Sequence, residues 1–177
     1  MNKFLAILLL VFSFTVASLT VNAAALHSTN HASVISIDPL DLLFEGRITA
    51  TYEQKLSTRN SFTVNAIFWN HSKDAFAFGV GGSYRWYFDL FEEGKSSLNG
   101  LSIGPRLDFL FWDWAGNDEK KAASFSTLAL GGEVNYKWVF DGKWSVEPTI
   151  KFVIPVLRKS GYSYTNHGVG VNLGYCF

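Results

Sequence analysis

The stretch HGVGVNLGYCF, residues 167–177, decides the fold class of this chain. From Val169 to Phe177, apolar residues at odd positions alternate with glycine, asparagine and cysteine at even positions. Side chains of a β-strand point to opposite faces in turn, so this strand has one apolar face and one small or polar face. An apolar face that ends on aromatic residues is typical of a strand whose outer side meets lipid.

The same alternation recurs in seven further segments, which predicts eight strands in all. The seven are residues 34–38, 47–56, 61–69, 75–88, 98–111, 123–139 and 144–154. Between two of them, Asp141-Gly142 predicts a tight hairpin. We predict a loop for residues 39–46, although this stretch is unusually apolar. The fold predicted from this pattern is all-β, an eight-stranded antiparallel up-and-down transmembrane β-barrel.

Two prolines fall inside predicted strands. Pro105 and Pro148 cannot donate a backbone hydrogen bond, and a closed sheet has no free edge on which to place them. We therefore expect each proline to lie at a bulge or at a strand end.

The first residues resemble a secretory signal. Lys3 precedes an apolar run at residues 4–16, and Val21-Asn22-Ala23 provides small residues at a cleavage site. We therefore predict a signal peptide over residues 1–23 and one barrel domain over residues 24–177. The expected location is the outer membrane of a Gram-negative bacterium.

Composition excludes several function classes. Charged residues make up 17% of the chain and the net charge is +0, whereas a nucleic-acid-binding protein would show a basic stripe. Cys176 is the only cysteine, so an intramolecular disulfide framework and a cysteine-based zinc site are excluded. Aromatic residues reach 16%, with six tryptophans. We expect no cofactor and no bound metal.

The alternating last strand that ends in phenylalanine resembles the closing strand of small bacterial outer-membrane β-barrels, of the OmpA-membrane-domain or OmpX type. This resemblance covers the chain after the signal peptide but rests on general barrel features. It implies that Tyr175 and Phe177 form a membrane-insertion signal, read by the outer-membrane assembly machinery. It also implies a monomer in contact with the lipid bilayer and lipopolysaccharide.

Aromatic residues near the strand ends predict two interfacial girdles. The first would contain Tyr52, Phe62, Trp86, Phe88, Trp138, Trp144, Tyr175 and Phe177. The second would contain Phe68, Trp69, Phe111, Trp112 and Trp114.

The polar faces of the strands carry charge, which predicts a charged lumen. Its members are Arg47, Glu53, Arg85, Arg106, Asp108, Glu133, Lys137, Glu147 and Lys151. Eight strands enclose a space only just wide enough for side chains. Because buried charges must be paired, we expect these nine to form a salt-bridge network that plugs the barrel. A plugged barrel suits a structural or surface-interaction role better than that of a general porin.

Two other functions stay open. Some small outer-membrane barrels hydrolyse or transfer lipid acyl chains, and such chemistry needs a nucleophile and a base. His167 with Ser163 and His71 with Ser72 are the available pairs, but neither lies in a nucleophile-elbow pattern and no acidic orienting group is identifiable. We therefore assign no catalytic residue. The other alternative is a soluble lipocalin-like barrel that carries a ligand.

Overall fold

The structure of the chain is a computed structural model. It describes residues 31–72, 75–88, 98–114, 123–157 and 166–177. The predicted signal peptide, residues 1–23, lies outside the described residues.

Eight antiparallel strands form a closed barrel in which each strand pairs with its neighbours in sequence and β8 pairs with β1. They are β1 (Ser33–Ile37), β2 (Arg47–Lys55), β3 (Asn60–Ser72), β4 (Ala75–Phe88), β5 (Gly100–Trp114), β6 (Ala123–Phe140), β7 (Trp144–Leu157) and β8 (Asn166–Cys176). The predicted count of eight and the up-and-down order are confirmed. Seven of the segments were recognisable because each runs long enough to show the two-residue period, whereas β1 has only five residues.

The hairpin between β6 and β7 is confirmed in detail. Asp141 and Gly142 have φ of 50° and 66°, the pair of positive values that a type I′ turn requires. The N–H of Lys143 donates to the carbonyl of Phe140 at 2.9 Å and closes the turn.

Residues 39–46 are not a loop, and this prediction was wrong. They contain helix α1 (Pro39–Glu45), which begins with proline at its first position and ends at Gly46 in the left-handed conformation. The side chain of Asp38 caps the helix by accepting from the backbone N–H groups of Leu40 and Asp41. An aspartate cap, proline inside the start and glycine past the end together specify a helix. Within the described residues, no helix combines the length and apolar character needed to cross a membrane.

Both prolines lie within strands, without the bulge or strand end that we expected. Pro105 pairs with Gly132 of β6, and the ladder towards β4 is interrupted beside it without a change of register. Pro148 likewise pairs with Val171 of β8, and the interruption faces β6. In each strand, two residue pairs of the ladder are therefore absent on the side that the proline nitrogen faces, and this accommodates the missing proline N–H.

Close backbone approach requires glycine at several points in the barrel wall, and it is tightest at Gly104 and Gly131. A Cβ on Gly104 would lie 1.8 Å from the carbonyl oxygen of Tyr84, and one on Gly131 would lie 1.8 Å from that of Phe152. Glycine at these positions lets neighbouring strands come together where a side chain would hold them apart.

The interior of the barrel contains two apolar clusters. One apolar cluster lies towards the end that carries α1, and contains Ile67, Trp69, Ala77, Leu110, Ala129 and Val153. A second cluster lies towards the end that carries the chain termini, and contains Val34, Leu98, Val139 and Cys176. Charged side chains also lie beside the first cluster, since Arg47 pairs with Trp69 and Asp108 pairs with Ala129 across neighbouring strands.

The second predicted girdle is wrong for Trp69 and Trp112, which associate with the interior of the barrel. Trp69 is only 8% exposed and belongs to the interior cluster, and Trp112 is half-buried against that cluster. Phe68 and Phe111 do point outward. The side chain of Trp114 lies outside the described residues. Strand alternation places Trp69 opposite Phe68, so the two-residue period was a better guide here than aromatic character.

Candidate functional site: the charged lumen

All nine charged side chains named from the sequence lie inside the barrel, each at most 6% exposed. They come from β2, β4, β5, β6 and β7. Two aspartates that the sequence analysis did not include, Asp38 and Asp41, join them from α1 and its cap. The ion pairs among the eleven groups form three clusters, of which the first two share Glu133.

Arg85 on β4 is the centre of the first cluster. Its Nε lies 2.6 Å from Oε1 of Glu133, and its Nη1 lies 2.8 Å from Oε2 of Glu53 and 3.1 Å from Oε2 of Glu147. One guanidinium therefore holds carboxylates from β2, β6 and β7 across the interior. A planar group with five donors is suited to this, since a lysine could not match the same fork.

Lys137 adds a second cation to the same carboxylates. Its Nζ lies 2.9 Å from Oε2 of Glu147 and also contacts Oε2 of Glu53. The hydroxyl of Tyr87 donates to Oε1 of Glu53 at 2.7 Å, and Asn172 donates to Oε1 of Glu147 at 3.0 Å. Two carboxylates thus share two cations and have further hydrogen-bond donors, as buried charge requires.

Arg106 forms the second cluster and is linked to the first. Its Nε lies 3.0 Å from Oδ1 of Asp108, and its Nη1 lies 3.0 Å from Oε2 of Glu133. The other oxygen of Glu133 accepts from Arg85 and from the hydroxyl of Ser83. Glu133 is therefore the bridge between the two arginines.

Asp41 is the centre of the third cluster. Its Oδ1 accepts from Nη2 of Arg47 at 2.7 Å, and its Oδ2 accepts from Nε of Arg47 at 3.0 Å. The same Oδ2 accepts from Nζ of Lys151 at 2.7 Å and from Oγ1 of Thr49 at 3.1 Å. Arg47 therefore donates to both oxygens of the Asp41 carboxylate, in the paired geometry that arginine favours.

Asp38 completes this cluster and joins α1 to the wall. Its Oδ1 accepts from the backbone N–H of Val171 at 3.3 Å, and its Oδ2 lies 3.8 Å from Nζ of Lys151. The sequence analysis missed both aspartates because it assigned residue 38 to a strand and residue 41 to a loop. The Asp38-Pro39 helix start was the sequence feature that pointed to them.

The side chains considered for acyl-lipid chemistry lie outside the described residues. The backbones of His71 and Ser72 lie at the end of β3 and that of His167 lies in β8. The side chains of these three residues, and all of Ser163, lie outside the described residues. Within the described residues, no group of three or more potential metal ligands from His, Cys, Asp and Glu comes together.

Comparison with solved structures supports the architecture. The barrel is similar to the N-terminal beta-barrel domain of Pseudomonas aeruginosa OprF, known from a crystal structure, with a TM-score of 0.50 and 8% sequence identity. The match covers 85% of this chain and 100% of that one. The chain has the fold of that domain. The resemblance to OmpA-type barrels that the sequence indicated is thus confirmed as a likeness of fold. No family model and no curated protein matches the sequence.

Proposed function

We propose that this chain is an outer-membrane β-barrel with a closed, non-conducting lumen and a structural or surface-interaction role. The observation that carries the proposal is the inverted polarity of the barrel. Charged groups fill the inside, whereas large apolar side chains point outward around the wall. In water this arrangement would expose apolar surface over the whole barrel, but in a bilayer it is the stable one.

The outer surface supports a lipid environment at several depths. Phe68, Phe78, Leu107, Leu130 and Ile150, from five different strands, are between 44% and 62% exposed. A soluble lipocalin-like carrier is disfavoured, because it would need these side chains inside and a cavity for its ligand where the ion pairs lie.

Aromatic side chains gather at the end of the barrel where the chain terminates. Trp86, Phe88, Trp144, Tyr175 and Phe177 are exposed there, and the rings of Trp144 and Tyr175 meet edge to face at 5.2 Å. Aromatic belts at the membrane–water boundary anchor a barrel at fixed depth. In the proposal this end faces the periplasm, and Tyr175 and Phe177 serve as the insertion signal for the assembly machinery.

The closed lumen is proposed from the cross-links through the interior. Arg85 on β4 binds carboxylates from three other strands, and two apolar clusters also occupy the interior. An ion that entered would have to break buried ion pairs, each of which is costly to separate. The proposed barrel is a monomer in contact with bilayer lipid and lipopolysaccharide, and its outward connections would provide the surface for interaction.

Two measurements test this function. In the first, the outer-membrane fraction is run on a gel with and without boiling in detergent, and we expect a mobility shift. Recovery in the soluble periplasm without a shift would contradict the membrane assignment. In the second, the purified chain is reconstituted in a planar bilayer, where we expect no discrete conductance steps. Steps of a reproducible size would contradict the closed lumen.

A further inference from the structure

The outward face of the barrel changes from apolar to polar at one end of β5 and β6. Along β5, the outward position after Phe111 is Asp113. Along β6, the outward positions before Leu128 are Ser126 and Ser124. This is the end of the barrel that carries α1, and in the proposed orientation it faces away from the periplasm. The level is therefore the one at which acyl chains give way to head groups.

A cleft lies on the outer surface at this level. It has a volume of about 450 Å³, and its lining includes Phe76, Phe78, Phe111, Asp113, Ser124 and Ser126. Strand pairing arranges these residues in two adjacent rows, which are Phe76, Asp113 and Ser124, and Phe78, Phe111 and Ser126. The cleft arises because the short serine side chains of β6 lie beside the large phenylalanine side chains of β4 and β5. A volume of this size falls in the range of small-molecule sites.

One wall of the cleft is aromatic. The rings of Phe78 and Phe111 are inclined by only 20°, with their centroids 5.1 Å apart, and both side chains are exposed. The ring of Phe76 packs edge to face against Phe68 on β3, with centroids 4.6 Å apart. The face of an aromatic ring carries partial negative charge, so it attracts groups with weakly positive hydrogen atoms.

The other wall of the cleft is polar and provides hydrogen-bond acceptors. Oγ of Ser124 donates to Oδ1 of Asp113 at 3.0 Å, and Asp113 is exposed. Because an ionised carboxylate has about four acceptor positions, Asp113 can accept further hydrogen bonds from a ligand. Among the described residues that line the cleft, none is a lysine or an arginine. The cleft therefore suits a ligand with several hydroxyl groups better than an anion.

We propose that this cleft binds a pyranose ring in the sugar head of lipopolysaccharide. A pyranose has one face of C–H groups and a rim of hydroxyl groups. Its C–H face packs against Phe111, its hydroxyl groups donate to Asp113, and Ser124 and Ser126 exchange hydrogen bonds with the rim. This inference rests on the proposed function, since it needs a bilayer around the barrel, and it names the part of the wall that holds the glycolipid.

Other occupants match fewer features of the cleft. An acyl chain would leave the Asp113 carboxylate and the serine hydroxyls without partners. A phosphate group would meet the negative charge of Asp113, with no cation in the lining to offset it. A soluble sugar would not account for the position of the cleft, because Phe78 and Phe111 continue the apolar outer face that meets lipid.

The test measures the affinity of the full chain, refolded in detergent, for lipopolysaccharide with a short core, by native mass spectrometry. Asp113→Ala removes the main acceptor, and Phe111→Leu removes the ring but keeps an apolar side chain. We expect each change to weaken binding of the first lipopolysaccharide molecule by about fivefold to tenfold. The matched control is Phe152→Leu, the same change at an exposed position of β7 outside the cleft, which should leave the affinity unchanged.

Cardiolipin, which has acyl chains and phosphates but no sugar, separates this site from general lipid binding. It should bind the wild type and all variants equally. Only variants that show the heat-dependent gel shift are compared, and Phe111→Met replaces Phe111→Leu if the latter does not refold.

Several results would overturn the proposal. These are no binding of lipopolysaccharide, unchanged affinity in Asp113→Ala and Phe111→Leu, an equal loss in Phe152→Leu, or an equal loss for cardiolipin. Tighter binding of lipopolysaccharide by Asp113→Ala would show that phosphate, not sugar, lies against residue 113. Displacement of lipopolysaccharide by soluble maltoheptaose would overturn the membrane source of the sugar. A barrel without the gel shift contradicts the proposed function itself, whereas a shifted barrel with unchanged affinities contradicts only this inference.

Discussion

Replacing Arg85→Met should destabilise the barrel strongly, since it removes the cation that three carboxylates share. Breaking a buried ion pair costs about 3–5 kcal/mol. Glu53 and Glu147 would keep Lys137, and Glu133 would keep Arg106, so the lower end of that range applies. A loss of about 3 kcal/mol reduces the ratio of folded to unfolded protein by roughly two orders of magnitude.

The assay is equilibrium unfolding in urea, with the barrel in lipid vesicles and tryptophan fluorescence as the probe. With a dependence of about 2 kcal/mol per molar urea, the midpoint should fall by about 1.5 M. The matched control is Lys143→Met, which removes a cation from the exposed hairpin turn and should change stability by no more than about 0.5 kcal/mol.

A double variant tests the mechanism itself. Combining Arg85→Met with Glu133→Gln removes one of the carboxylates left behind, so the double variant should lose less stability than the sum of the two single losses. The reasoning is refuted if Arg85→Met lowers the midpoint no more than Lys143→Met does. Strict additivity of the two changes would also refute it, because independent sites add and members of one network do not.

Three further predictions concern the wall. Gly131→Ala should greatly reduce the fraction of protein that shows the heat-dependent gel shift, since the new Cβ meets the carbonyl of Phe152. Gly168→Ala is the control and should leave this fraction unchanged, because nothing lies within 4 Å of the new Cβ. A similar loss in both variants would contradict the close-approach argument. Ile150→Arg on the outer face should lower the free energy of unfolding in vesicles by about 2–4 kcal/mol. Thr58→Arg in an exposed turn is the control and should lower it little. Equal losses in the two variants would argue against a bilayer around β7. Deleting Phe177 should lower the amount of barrel in the outer membrane, and unchanged levels would count against its role in insertion.

The strands and the sidedness of their residues could be predicted from the sequence, because both depend on a local two-residue period. The segment from Val146 to Ile154 shows this well, since alternation alone assigns Glu147 and Lys151 to the inside. Tertiary structure was not needed to place those charges in the lumen. The same rule, applied strictly, would also have assigned Trp69 to the interior.

Which charges meet was decided by the closed barrel. Arg85 and Glu53 lie on strands separated by β3, and Arg85 and Glu133 on strands separated by β5. Whether their side chains share a level depends on the register of every strand pair between them, and those registers are set in the folded sheet. A sequence pattern contains no information about those registers, so it could name the members of the network but not their partners.

The formation of helix α1 could be predicted from the sequence, but its position in the barrel could not. Its cap at Asp38, its first residue Pro39 and its end at Gly46 are local features that a reader of the sequence can recognise. Its position in the wall is not local, because it depends on β1 ending at Ile37 while β2 and β8 continue. The sequence by itself therefore determined the strands, the faces and the presence of charge inside. The tertiary structure decided the ion pairs and the position of α1 in the wall, since both arise from contacts between residues far apart in the chain.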